Sequence, residues 1–133
     1  MKYSELTQRY FESAARVGTL SHAFRGTAGQ REQGTWVQFD VLTDAAKISD
    51  ARFLVFGCPH TIAAAAWLAE TAIGGPVRRD MPESVRALAD RFGVPVEKLG
   101  RLFIVEDAWK AAVGAAIDSA ARAPMSDGRV KDA

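Results

Sequence analysis

The period of apolar and polar positions changes along this 133-residue chain, and each change marks a different kind of element. Ser4 is a helix-capping residue, and after it Leu6, Tyr10, Phe11 and Ala14 are spaced for one face of a helix that stops near Gly18. Residues 26–34, Gly-Thr-Ala-Gly-Gln-Arg-Glu-Gln-Gly, are polar, glycine-rich and without period, and read as an exposed loop. From 35 to 42 the period is two, with Val37, Phe39 and Val41 alternating against Gln38 and Asp40. Residues 48–57, with Phe53, Val55 and Phe56, are a second β-rich segment. The connection at 43–47 has hairpin length, so the two segments are expected to pair antiparallel, with residues 19–24 as a third strand.

Beyond this point the pattern is helical. Pro59 suits a first helical position, and the alanine-rich run 61–73 ends at Gly74-Gly75, a natural stop. Residues 82–92 predict a second helix, closed by Gly93. A short helical or irregular piece at 96–102 leads into a long helix over 103–122, where Glu106 and Lys110 are spaced for a favourable pair. Its Ala108, Ala112, Ala115 and Ala116 would let it approach another element closely. From Pro124 the chain is polar, so residues 124–133 are expected to be a flexible tail behind one domain over 1–123. Strands followed by helices, with no βαβ alternation, predict an α+β fold with helices on one face of a three-stranded antiparallel sheet.

Composition narrows the function. Seventeen basic and sixteen acidic side chains leave a net charge of +1, which excludes nucleic-acid binding through bulk charge. The longest apolar run, 62–69, is far short of the ~20 residues of a membrane span. The N-terminus turns polar within five residues, unlike a secretory signal, so a cytoplasmic protein is expected. One cysteine, Cys58, cannot form an internal disulfide, which agrees with a reducing compartment. No GxSxG, HExxH or Walker glycine loop is present, and no enzymatic activity is expected.

Cys58 directly follows a predicted strand and directly precedes Pro59, so its sulfur would sit at a helix N-terminus, where unsatisfied N–H groups favour thiolate. The alternative is a small buried hydrophobe. His60 could share a site with Cys58, although a Cys-Pro-His triplet is far less than a four-ligand zinc pattern. His22 has no acidic or cysteine neighbour and reads as a surface or strand histidine. Trp36, Trp67 and Trp109 read as core or interface anchors.

The block Asp50-Ala51-Arg52-Phe53-Leu54-Val55-Phe56-Gly57-Cys58, followed by the small-residue helix at 61–72, resembles the iron–sulfur cluster assembly scaffold family typified by IscU and the NifU N-terminal domain. Val105-Glu106-Asp107-Ala108-Trp109-Lys110-Ala111-Ala112 is similar to the last helix of that family, and residues 3–18 to its first. The likeness implies the same α+β sheet-and-helix fold and protein partners such as a cysteine desulfurase or a chaperone. It further implies a site where three cysteines converge, aided by an aspartate and a histidine. A homodimer is a state that the sequence leaves open.

This sequence departs from that site. The loop expected to carry the first cysteine and the aspartate reads Gln30-Arg31-Glu32-Gln33-Gly34, and the position before the last helix expected to carry histidine and cysteine reads Gly100-Arg101. A [2Fe–2S] cluster needs four ligands. Cys58 is therefore the one candidate metal or cluster ligand; an iron–sulfur cluster or iron could be shared across a dimer or completed by a small thiol, and none is expected on the isolated monomer. If the loops converge, Arg31 and Arg101 flank Cys58, with Glu32 able to pair with either, and the pocket suits an anion, a persulfide or an acidic partner. Three roles follow: an accessory or degenerate scaffold-like member of iron–sulfur assembly, an interaction or regulatory module without cluster chemistry, and a single-cysteine persulfide or thiol carrier.

Overall fold

The two β-rich segments pair as expected, and a third strand joins them from the glycine-rich stretch. A computed structural model, which describes residues 3–13 and 16–122, places strands β1 (Phe24–Gln30), β2 (Thr35–Asp44) and β3 (Lys47–Phe56) in one antiparallel sheet in the order β1-β2-β3. Helices α1 (Glu5–Ser13), α2 (Pro59–Ala72), α3 (Val85–Phe92) and α4 (Leu99–Arg122) complete the expected α+β fold. The β2–β3 hairpin turns on Ala45 and Ala46, both at positive φ (51° and 68°), the handedness that matches the twist of the flanking strands. Val37, Phe39 and Val41 lie opposite Val55, Phe53 and Ala51, so these side chains emerge on one face and meet the helices. There Trp109 of α4 packs edge-on against Phe39 at 5.1 Å.

The glycine-rich stretch is where structure and pattern part. Its first half is not loop: β1 continues through Gln30 and gives way to a 3-10 turn at Arg31–Gln33. The strand expected at 19–24 starts only at Phe24, and the residues before it cross the opposite face of the sheet, where Leu20 donates its N–H to Asp40 at 3.0 Å. Asp40 is buried on that face; burial pushes its carboxyl up, but Arg25 at 2.8 Å and the Leu20 N–H outweigh this and hold it below the usual carboxylate range. The reason for the glycines is proximity. A Cβ on Gly26 would lie 2.2 Å from Ala112 N and 2.4 Å from Ala108 O, so this glycine is the floor on which α4 rests. The small residues of α4 find their close partner here.

Caps set the helix ends. Thr7 donates its N–H to Ser4 Oγ at 3.1 Å, and Thr7 Oγ1 donates to the Phe92 carbonyl at 2.7 Å, tying the start of α1 to the last turn of α3. Ala14, expected on the apolar face of α1, lies outside the described residues. The second predicted helix begins at Val85 because Ser84 caps Ala87 N–H at 3.1 Å, and it ends at Gly93 with φ 64°. The short piece before the last helix is a 3-10 turn, Val96–Lys98, and α4 begins earlier than its pattern, at Leu99. Glu106 and Lys110 do pair, at 3.8 Å. The tail at 124–133 lies outside the described residues, among which no helix is long and apolar enough to cross a membrane.

Candidate functional site

Strand β3 delivers Cys58 and α2 receives it. Cys58 is the N-cap of α2, with extended backbone (φ −83°, ψ 167°), and its carbonyl accepts the Ile62 N–H at 3.1 Å. That conformation leaves the side chain beside the first turn of α2, without a side-chain cap hydrogen bond. Sγ lies 3.5 Å from Thr61 Oγ1 and 3.8 Å from Arg101 Nη1, with the backbone N–H groups of Thr61 and His60 nearby but not hydrogen-bonded to it as a cap. Partial burial pushes the thiol up, but the Thr61 hydroxyl, the two N–H groups and the charge of Arg101 outweigh it, so the pKa lies below that of an ordinary thiol. The sulfur is partly exposed. Cys58 is half-buried, with the Arg101 cation beside its sulfur.

His60 lies behind the sulfur. It is 3% exposed, its ring meets Tyr3 edge-on at 4.7 Å, and Lys98 Nζ stands 5.9 Å from the centre of the Tyr3 ring. Burial, then the charges of Lys98 and Arg101, lower its pKa, so the imidazole is neutral at pH 7. Its Nδ1 is buried and has no hydrogen-bond partner among the described residues.

The expected pair of flanking arginines is half realised. Arg101, in the first turn of α4, does face the sulfur. Arg31 instead lays its guanidinium over the Trp36 ring at 4.7 Å, and the charge acting on Cys58 is that of Arg101. The cause is the 3-10 turn that follows β1: it places Arg31, Glu32 and Gln33 on the exposed rim, where an indole face offers the guanidinium a nearer partner. Glu32 pairs with neither arginine. Gly100 borders open space at the start of α4 and contributes no side chain. His22 is exposed in a turn at φ 61°. Trp67 and Trp109 are core anchors, whereas Trp36 carries Arg31.

Sequence reasoning missed Thr61, Tyr3 and Lys98. Thr61 had a signal, since a polar residue three positions after an N-cap is the capping-box spacing. Tyr3 and Lys98 had none, because each reaches the site from a distant part of the chain.

Taken together these groups can hold an anionic sulfur: one hydroxyl and one permanent cation meet Sγ at the N-terminus of α2. They do not form a metal cage. Among the described residues no group of three or more His, Cys, Asp or Glu side chains could hold a metal ion, and a [2Fe–2S] cluster needs four ligands. Arg101 also sets a positive charge where a further ligand would have to approach.

Comparison with known proteins agrees with the fold. Residues 2–120 match the NifU-like N terminal domain family. The iron–sulfur cluster assembly scaffold protein IscU of Haemophilus influenzae is 28% identical over 118 residues, spanning 85% of this chain and 94% of that protein. Among solved structures, one from thermophilic Fervidobacterium islandicum AW-1, described as a candidate iron–sulfur cluster assembly scaffold protein for the SUF system, superposes with a TM-score of 0.69 at 17% identity. That match covers 84% of this chain and 96% of the other. A NifU-like N-terminal protein from Brucella abortus gives 0.55 at 16% identity, over 86% and 89% of the two chains. The chain belongs to the NifU-like N-terminal domain family.

Proposed function

We propose that this member of the NifU-like N-terminal family works in iron–sulfur cluster assembly as an accessory scaffold-like protein, which handles sulfur at Cys58 and does not hold a cluster by its own ligands. The observation that carries this reading is the Arg101 guanidinium 3.8 Å from Cys58 Sγ, at the place where the family resemblance expects a third cysteine. A permanent cation there favours a thiolate or a persulfide anion and disfavours a second metal contact. Support for the broader process comes from the family and from the scaffold function named for the Haemophilus relative.

The chemistry is a group transfer that needs no oxidant. The Cys58 thiolate attacks the outer sulfur of a donor persulfide, R–S–SH; the donor S–S bond breaks, the donor leaves as RS⁻, and Cys58 carries S–SH. The outer sulfur keeps its proton and oxidation state. A desulfurase persulfide is the donor chemistry that fits. Thr61 and Arg101 hold the attacking thiolate before transfer and the persulfide anion after it. The chain acts as carrier and not as catalyst, in the cytoplasm.

Two measurements test the reading. The rate of Cys58 alkylation against pH should turn over below the ~8.5 of a free thiol, and Arg101→Ala should move the midpoint up and slow alkylation at neutral pH several-fold, with Arg101→Lys in between. Incubation with a cysteine desulfurase and cysteine should add one sulfur atom to the peptide bearing Cys58, read by mass spectrometry. An unshifted midpoint with no sulfur gained would refute it. So would anaerobic reconstitution that yields a stoichiometric brown chain whose colour is abolished by Cys58→Ser.

A further inference from the structure

The outer edge of β3 carries one closed rung and one open rung. Phe53 donates its N–H to Arg16 O and accepts the Gly18 N–H, both at 2.9 Å, so its backbone groups point away from β2 and Phe39–Phe53 is a non-hydrogen-bonded pair. Two residues on, Val55 faces Val37 in the same unbroken register. By the alternation of an antiparallel ladder, the N–H and C=O of Val55 also point outward. Among the described residues no backbone group meets them. The segment that closes the rung at Phe53 has by then turned under the sheet, where Leu20 binds Asp40.

Around this open rung lies a groove of about 490 Å³ whose walls include Phe11, Val17, Ile62, Trp36, Phe56 and Arg31. Phe11, Val17 and Phe56 are 42%, 47% and 52% exposed, an apolar surface left in water at one spot. Arg31, stacked on Trp36, has no carboxylate partner among the described residues.

We propose that this edge takes an extended segment of a partner protein as an added strand, pairing its backbone with Val55, laying apolar side chains in the groove and presenting an acidic side chain to Arg31. An outward N–H and C=O on one residue are satisfied together only by extended backbone, which excludes a helix as occupant. The unpaired guanidinium selects an acid. A second copy offering the same edge would bring up the apolar residues 53–56, and the one acid of β3, Asp50, is already held by its own Arg16 at 3.0 Å. The inference reaches beyond the sulfur chemistry and stands without it, yet the two sites adjoin: β3 runs directly through Gly57 into Cys58, so the docked strand would end beside the sulfur.

Amide NMR of the full chain tests this with a blocked Thr-Val-Glu-Val-Thr peptide, the same peptide with Lys for Glu, and one with Pro for the second Val. The Glu peptide should shift the Val55 amide saturably and slow its exchange with solvent. The Lys peptide should bind about fivefold more weakly, the reach of one half-exposed ion pair, and Arg31→Glu should reverse that order. The Pro peptide, which lacks a ladder donor, should not bind. Val55→Pro, which removes the outward N–H along with a side chain packed on the core, should abolish the response while circular dichroism shows the fold intact; should that variant not fold, Arg31→Glu carries the test alone. Equal binding of the Glu and Lys peptides, or an unmoved Val55 amide, overturns the proposal. So does a Val55 amide already protected in the free chain, whether with concentration, which would mean a second copy, or until residues 123–133 are deleted, which would mean the chain's own tail.

Discussion

The middle and the first turn of α4 serve opposite purposes. In the middle, Ala108 and Ala112 press against Gly26 so closely that a single added methyl would overlap backbone atoms. In the first turn, Gly100 borders open space and Arg101 reaches across to a sulfur carried by another helix. The middle is fitted by removing side-chain atoms, and the end is furnished by adding a charged one. Architecture and site are therefore separable: the contacts that hold α4 on the sheet share no atom with those that face Cys58. The family block around Asp50 divides in the same way. Asp50 accepts from Arg16 at 3.0 Å and from its neighbour's N–H at 2.8 Å, and Phe53 lies in the core, so most of that block holds strand β3 in place and only its last residue is chemical.

The largest expected effect separates these two regions most sharply. Gly26→Val should destabilise by about 3 kcal/mol or more, because the obstacle is helix backbone that cannot rotate aside, and urea denaturation should show it. Gly26→Ala should cost less and in the same direction. A change of under about 0.5 kcal/mol in both would mean that α4 does not rest on β1 as described.

At the sulfur end the expected effect is smaller and depends on pH. The folded pKa of His60 lies below its unfolded value near 6.5, so between the two the unfolded chain binds a proton that the folded chain refuses. Stability should therefore fall as pH drops from about 6.5, by no more than about 1.4 kcal/mol per pH unit for one proton. His60→Leu should remove that part of the slope and leave stability at pH 8 within about 1 kcal/mol, since the change also removes an unsatisfied nitrogen. Thermal melts across this range decide it; an unchanged slope would show that His60 does not titrate as a buried group.

The smallest effect should have the opposite sign to the first. Gly100→Ala, in the same helix as the crowded alanines but facing open space, should stabilise by up to about 1 kcal/mol. Destabilisation there would mean that the first turn of α4 is packed against something, and the contrast between the two regions would weaken.

The sequence by itself determined what short windows encode. Period-two alternation at 35–42, the β-rich segment at 48–57, the Ser4 cap, Pro59 at a helix start and Gly93 at a helix end all express local preferences, and each corresponds to an element in the fold. Cys58 at a helix N-terminus was legible for the same reason. Tertiary structure alone decided the rest. Gly26 looks like a loop residue until α4 lies on it, because a missing side chain has no period. Arg31 and Arg101 are equivalent in sequence as lone cations in place of expected ligands. Which of them meets the sulfur depends on the turn after β1 and on an indole face within reach, contacts between residues far apart in the chain that no local pattern records.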